Sequence, residues 1–129
     1  MSRLFVSHRG ADAMLARRLA EALRSAGHSV WLDAWEITVG DSIIYQINRG
    51  LEAANFLVLC CSTSGDTAPW MSREWMATLA RQLNGVGVKI LPVLLSGNIV
   101  PAILSDIKYA DLTADWTAGL SELLRAINR

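Results

Sequence analysis

The chain alternates between short apolar runs and longer segments in which apolar residues return every three or four positions. Leu4, Phe5 and Val6 form the first run, so Arg3 to Ser7 is predicted as a buried strand followed by the polar turn His8-Arg9-Gly10. Asp12 can cap a helix whose stripe is Leu15, Leu19, Leu23 and Ala26, and Gly27 stands where such a helix ends. Ser29 to Leu32 is a second strand, running into the mixed loop 33–40. A second helix starts at Asp41 or Ser42 and buries Ile43, Ile47, Leu51 and Ala54. Asn55 to Cys60 is the strongest strand signal, continuously apolar after its first residue. A small polar loop comes next, and Pro69 opens a helix with Trp75, Met76, Leu79, Ala80 and Leu83 inward. Val88 to Leu95 is a fourth strand, in which Pro92 is easiest at an edge or near a strand end. Ile107 to Tyr109 is a short fifth strand, and Trp116, Leu120, Leu123, Leu124 and Ile127 stripe a final helix.

Strands that alternate with helices predict a parallel sheet with helices on both faces, a flavodoxin-like three-layer α/β sandwich of strand order 2-1-3-4-5. In such sheets ligands sit beyond the carboxyl ends of the strands, at the switch point between strands 1 and 3. The loops there are 8–11, 33–41 and 61–70.

Composition narrows the picture. A length of 129 residues suits one domain, 1–129, and 52% hydrophobic against 19% charged residues marks a globular chain. The formal net charge is zero, which argues against a nucleic-acid surface made by gross charge. No apolar stretch is long enough to span a membrane, and the first apolar run is too short for a signal peptide. The two cysteines are the neighbours Cys60 and Cys61, which read as buried small hydrophobes and fit a reducing, cytoplasmic setting. No His, Cys or Asp grouping has metal-ligand spacing, and no Ser, His and Asp pairing suggests a triad.

Three familiar uses of this architecture fail on residues. The turn after strand 1, Ser7-His8-Arg9-Gly10-Ala11, has one glycine, too few for a dinucleotide fingerprint. It also lacks the Ser/Thr/Gly-rich phosphate loop of a flavodoxin and the acidic pair of a phospho-receiver. What stands out is Pro69-Trp70-Met71-Ser72-Arg73-Glu74-Trp75, where Trp70 and Glu74 share one face of a helix, one turn apart. An aromatic wall beside a carboxylate can cradle a cationic ring; a core tryptophan beside a solvated glutamate gives the same pattern.

Leu4-Phe5-Val6-Ser7-His8, Val30-Trp31-Leu32-Asp33, Glu36 and Gly40, Leu57-Val58-Leu59-Cys60-Cys61-Ser62, Trp70-x-x-x-Glu74 and Ile90-Leu91-Pro92-Val93 occur in that order. The set resembles the Toll/interleukin-1 receptor (TIR) domain over nearly the whole chain. Some members of that family only assemble signalling complexes, whereas many bacterial and plant ones break the nicotinamide–ribose bond of NAD+. The catalytic members keep a glutamate at the position of Glu74. Here the BB loop, Ala34 to Val39, has no proline, unlike the Arg-Asp-x-x-Pro-Gly box of receptor adaptors. The resemblance therefore implies an NAD+ glycohydrolase of the bacterial type, giving nicotinamide and ADP-ribose or a cyclic isomer, with NAD+ as substrate and no cofactor.

By the same resemblance Glu74 is the catalytic residue, and Phe5, Ser7, His8, Arg9, Asp33 and Trp70 are candidate substrate contacts. For His8 a backbone-bonded turn histidine is the alternative, for Arg9 a solvated one, and for Trp70 a core residue. Trp35, Glu36 and Ile37 on the BB loop are candidates for homotypic contact with a second TIR domain. The family also implies activation by self-association, a sensor domain fused or separate with this chain as N-terminal effector, and work in anti-phage defence or virulence. A non-catalytic scaffold and a nucleoside ribosyltransferase-like enzyme are the competing readings.

Overall fold

The computed structural model describes residues 2–8, 12–34, 54–62, 81, 84–85, 87–97 and 108–128. Five strands form one sheet: β1 (Arg3–His8), β2 (Ser29–Ala34), β3 (Phe56–Ser62), β4 (Lys89–Ser96) and β5 (Ala110–Asp111). Their order is β2-β1-β3-β4-β5 and every pairing is parallel, as a flavodoxin-like α/β fold requires. The described helices are α1 (Ala13–Ser25) and α2 (Trp116–Ile127).

Side-chain alternation explains the near-continuous apolar strands. Leu4, Val6, Val58, Cys60, Leu91, Val93 and Leu95 face one way and pack with Leu19 and Leu23 of α1 and Leu123 and Ile127 of α2. Phe5, Leu57, Leu59, Cys61 and Leu94 alternate to the other face and are buried as well, so both faces are covered. The expected burial of both cysteines is observed.

Several boundaries differ from the sequence reading. Leu15 is only half-buried and Ala26 is exposed; α1 buries Ala16 and Ala20 beside Leu19 and Leu23. The leucines alone misplace the stripe, because two alanines let the helix settle closer to the sheet. Asp12 stands at the cap position, yet its side chain makes no capping hydrogen bond. The other end is as expected: Gly27 has φ +96°, and Gly27 and His28 donate to the carbonyls of Arg24 and Leu23 in a Schellman motif. The final helix buries Gly119 together with Leu123 and Ile127, and Asp115 caps it by accepting from Ala118 N at 3.1 Å.

The fifth strand is Ala110–Asp111; Lys108 and Tyr109, expected in it, precede it, and Ile107 lies outside the described residues. Pro92 lies in the middle of β4, inside the sheet and not at an edge. Its place is set by the ladder. Leu94 O accepts from Leu112 N, so alternation turns the Pro92 nitrogen to the same flank. Pairing with β5 begins only at Val93, so the absent N–H leaves no ladder bond unmade. At the opposite edge, β2 turns the Val30 carbonyl outward, where Arg24 Nη2 donates to it at 3.2 Å and blunts the open edge. Asn55 precedes β3 and joins three strands: its Oδ1 accepts from Arg3 N at 2.8 Å, its N donates to Arg3 O, and its O accepts from Lys89 N.

Candidate functional site at the carboxyl ends of β1 and β3

The strand order reverses direction at β1 and β3, so the crevice beyond their carboxyl ends is where this topology admits a ligand. Ser7 stands at the centre of it. In the ladder it pairs with Asp33 of β2 on one side and Leu59 of β3 on the other. Ser7 is 1% exposed, and its Oγ has no hydrogen-bond partner among the described residues. A buried hydroxyl left unsatisfied costs about 1–3 kcal/mol, a cost that a ligand hydroxyl or a water would remove.

His8 is the last residue of β1 and is buried, so it belongs to the strand and not to the expected turn, whose other residues lie outside the described ones. Phe5 is buried two residues deeper, paired with Trp31 and Leu57, and forms the wall behind the mouth. Asp33 also lies within a strand, one residue before the end of β2. At the far end of β3 the ladder slips: Cys61 pairs with Leu94 but Ser62 with Ser96. Such an irregularity bends a strand end and re-aims the chain beyond it.

Asp12 is a residue that sequence reasoning places only as a cap. The residue is 3% exposed at the start of α1. It reaches Cys60 electrostatically: burial first, then Cys61 and Asp12, push the Cys60 thiol well above its ordinary range. Cys60 is therefore an inert thiol. A capping aspartate and a buried one look alike in sequence, so only the fold separates them. Among the described residues no three His, Cys, Asp or Glu are placed to hold a metal ion. None of the described helices is long and apolar enough to cross a membrane.

The structure thus places Ser7, His8 and Asp33 at the carboxyl ends of two adjacent strands, with Phe5 deeper in β1. Arg9, Trp35, Glu36, Ile37, Trp70 and Glu74 lie outside the described residues.

Comparison with known proteins agrees with this fold. A family model described as TIR domain matches residues 4–124. A 2′ cyclic ADP-D-ribose synthase of Bacteroides thetaiotaomicron is 40% identical over 90 residues, 69% of this chain and 31% of that protein. One of Acinetobacter baumannii is 35% identical over 91 residues, covering 70% and 34%. An NAD(+) hydrolase of Paracoccus denitrificans is 32% identical over 91 residues, covering 70% and 30%. The chain thus aligns with about a third of the length of these curated relatives. Among solved structures, the TIR domain of a Toll-related receptor from Hydra magnipapillata superposes with TM-score 0.62 at 19% identity, covering all of both chains, a likeness of fold. A match from strand β1 into helix α2, on a sheet of this order, leaves no ambiguity of family: the chain belongs to the TIR domain family.

Proposed function

We propose that this TIR domain cleaves the nicotinamide–ribose bond of NAD+, releasing nicotinamide and ADP-ribose or a cyclic ADP-ribose isomer. The observation that carries the reading is the 31–40% identity to relatives named as 2′ cyclic ADP-D-ribose synthases and NAD(+) hydrolases. The Trp70-x-x-x-Glu74 spacing and the Ser7 hydroxyl at the switch point, unsatisfied among the described residues, support it.

The chemistry asks little of the protein in acid catalysis. Nicotinamide is bound as a cation and leaves neutral, taking the bonding pair, while the ribose carbon becomes an oxocarbenium-like centre. The protein must hold negative charge beside that centre and fix the ribose. In this reading Glu74 supplies the charge and Trp70 walls the nicotinamide end. Ser7 and Asp33 offer hydrogen bonds to ribose hydroxyls, Phe5 and His8 close the base of the pocket, and Arg9 meets a phosphate. Water then adds to the ribose carbon and loses a proton, or a hydroxyl of the same molecule adds and closes a ring. Trp35, Glu36 and Ile37 contact a second TIR domain, and the assembled form is the active one. The setting is bacterial defence or virulence in the cytoplasm, with a sensor on the same chain or a separate one.

The test is nicotinamide release from NAD+ by the purified chain, beside Glu74→Gln, at low and high protein concentration. Glutamine keeps the shape and removes the charge, so the rate should fall at least ~100-fold, the worth of one preorganised electrostatic group. A variant as fast as the wild type removes Glu74 from the mechanism. No nicotinamide at any concentration leaves homotypic assembly without turnover as the function. Chromatography of the second product separates linear from cyclic outcomes.

A further inference from the structure

We propose that the cavity between α2 and the β4–β5 corner binds a small organic anion, a carboxylate or phosphate on a compact apolar body. The cavity encloses about 180 Å3 and lies beside β5, with β3 and β4 between it and β1. It shares no residue with the crevice at β1 and β3, so it stands or falls apart from the NAD+ reading.

The cavity lies where β5 is short. Pairing with β4 starts at Val93, so among the described residues no strand lies beside the flank of β4 at Leu91 and Pro92. Those two residues and Leu123 make an apolar floor, all of them buried. Lys108 and Tyr109 approach from the segment leading into β5, and Glu122, Arg125 and Ala126 from the last turns of α2. The size is below that of pockets for drug-sized ligands, so the occupant has about one ring or a few carbons. Half-buried Tyr109 offers such a body a ring and a hydroxyl.

Charge selects the head group. Lys108 and Arg125 line the cavity together with one carboxylate, Glu122, and all three residues are exposed. The carboxyl end of α2 adds about half a negative charge. A small positive excess remains, carried on two long, exposed side chains of the kind that can lay an apolar stem along the cavity rim and bring the charged head over a ligand.

The probes are benzoate and phenyl phosphate, with neutral benzamide as the control, monitored by amide NMR shifts in the wild-type chain. Saturable shifts at Lys108, Tyr109, Ala110 and Glu122 to Ala126 are expected with at least one anion, and the tighter of the two identifies the head group. Lys108→Gln and Arg125→Gln should each weaken binding about threefold or more, and Glu122→Gln should tighten it by a similar factor. These positions are exposed, so the variants keep the fold. Equal binding of benzamide, indifference to all three substitutions, or no saturable shift in this corner would overturn the proposal.

Discussion

Asp111 shows how a single residue at the end of a strand is held. Its Oδ1 accepts from the Thr113 hydroxyl at 2.6 Å and from Thr113 N at 2.8 Å. These bonds, the hydroxyl's first, hold the carboxyl below the usual aspartate range against a small opposing effect of burial. A folded pKa below the unfolded one means that the stabilisation is present above the unfolded value and is lost as pH falls through the folded one. The group is close to solvent, so the effect on stability is small; the titration itself is the sensitive readout. Thr113→Ala should move the Asp111 midpoint up toward the ordinary range in an NMR pH titration, and an unmoved midpoint would refute the assignment. At His28 the Nδ1 accepts from Ser2 N at 3.1 Å, while Nε2 is buried with no hydrogen-bond partner among the described residues.

At the scale of elements, the docking of α2 on β5 turns on one absent side chain. A Cβ at Gly119 would collide with the backbone O of Asp111, lie 2.7 Å from its carbonyl carbon and 3.1 Å from Leu112 Cα. Helix propensity alone makes Gly119→Ala stabilising by about 1 kcal/mol. Overpacking against backbone costs typically about 1–3 kcal/mol, and atoms of a strand cannot swing aside. We expect a net loss of about 1–2 kcal/mol and a lower thermal midpoint; a rise in midpoint would show that α2 can slide away from β5. This contact also explains why β5 lies beyond the segment that the apolar pattern favours. Residues 107–109 carry the stronger strand signal, but the pairing forms where the helix can close on the backbone. β1, β3 and β4 are legible because both their faces are buried, which writes itself as unbroken apolar runs; β2 at the edge, with Trp31 exposed and Val30 and Leu32 half-buried, shows only a short one. The stripe of α1 is not legible, since Ala16 and Ala20 pack as tightly as leucines while carrying little hydrophobic signal. Of the candidate site, the strand order alone puts the ends of the first two strands, with Ser7 and Asp33, side by side; their pairing in the ladder is a matter of register. The depth of Asp12, the unmet hydroxyl of Ser7 and the slip after Cys61 depend on tertiary contacts that no local pattern encodes.

Over the whole molecule the sheet separates two interiors. The parallel order forces every central strand to bury both faces, and consecutive residues of β3 belong to different layers. Cys60 packs in the cluster under α1 and α2, and Cys61 alternates to the far side; both are at most 1% exposed. Two adjacent thiols thus form a reporter with one sensor in each layer. Neither can meet a thiol reagent until its own layer opens. Labelling of Cys60→Ala and Cys61→Ala variants across a urea series should give equal opening energies if the domain unfolds in one step. A reagent that captures Cys61 at lower urea than Cys60 would reveal that the layer over Phe5, Ser7 and Leu59 loosens first. Strand alternation, a rule of geometry two residues long, would then have turned a pair of inert cysteines into a gauge of which side of the molecule breathes.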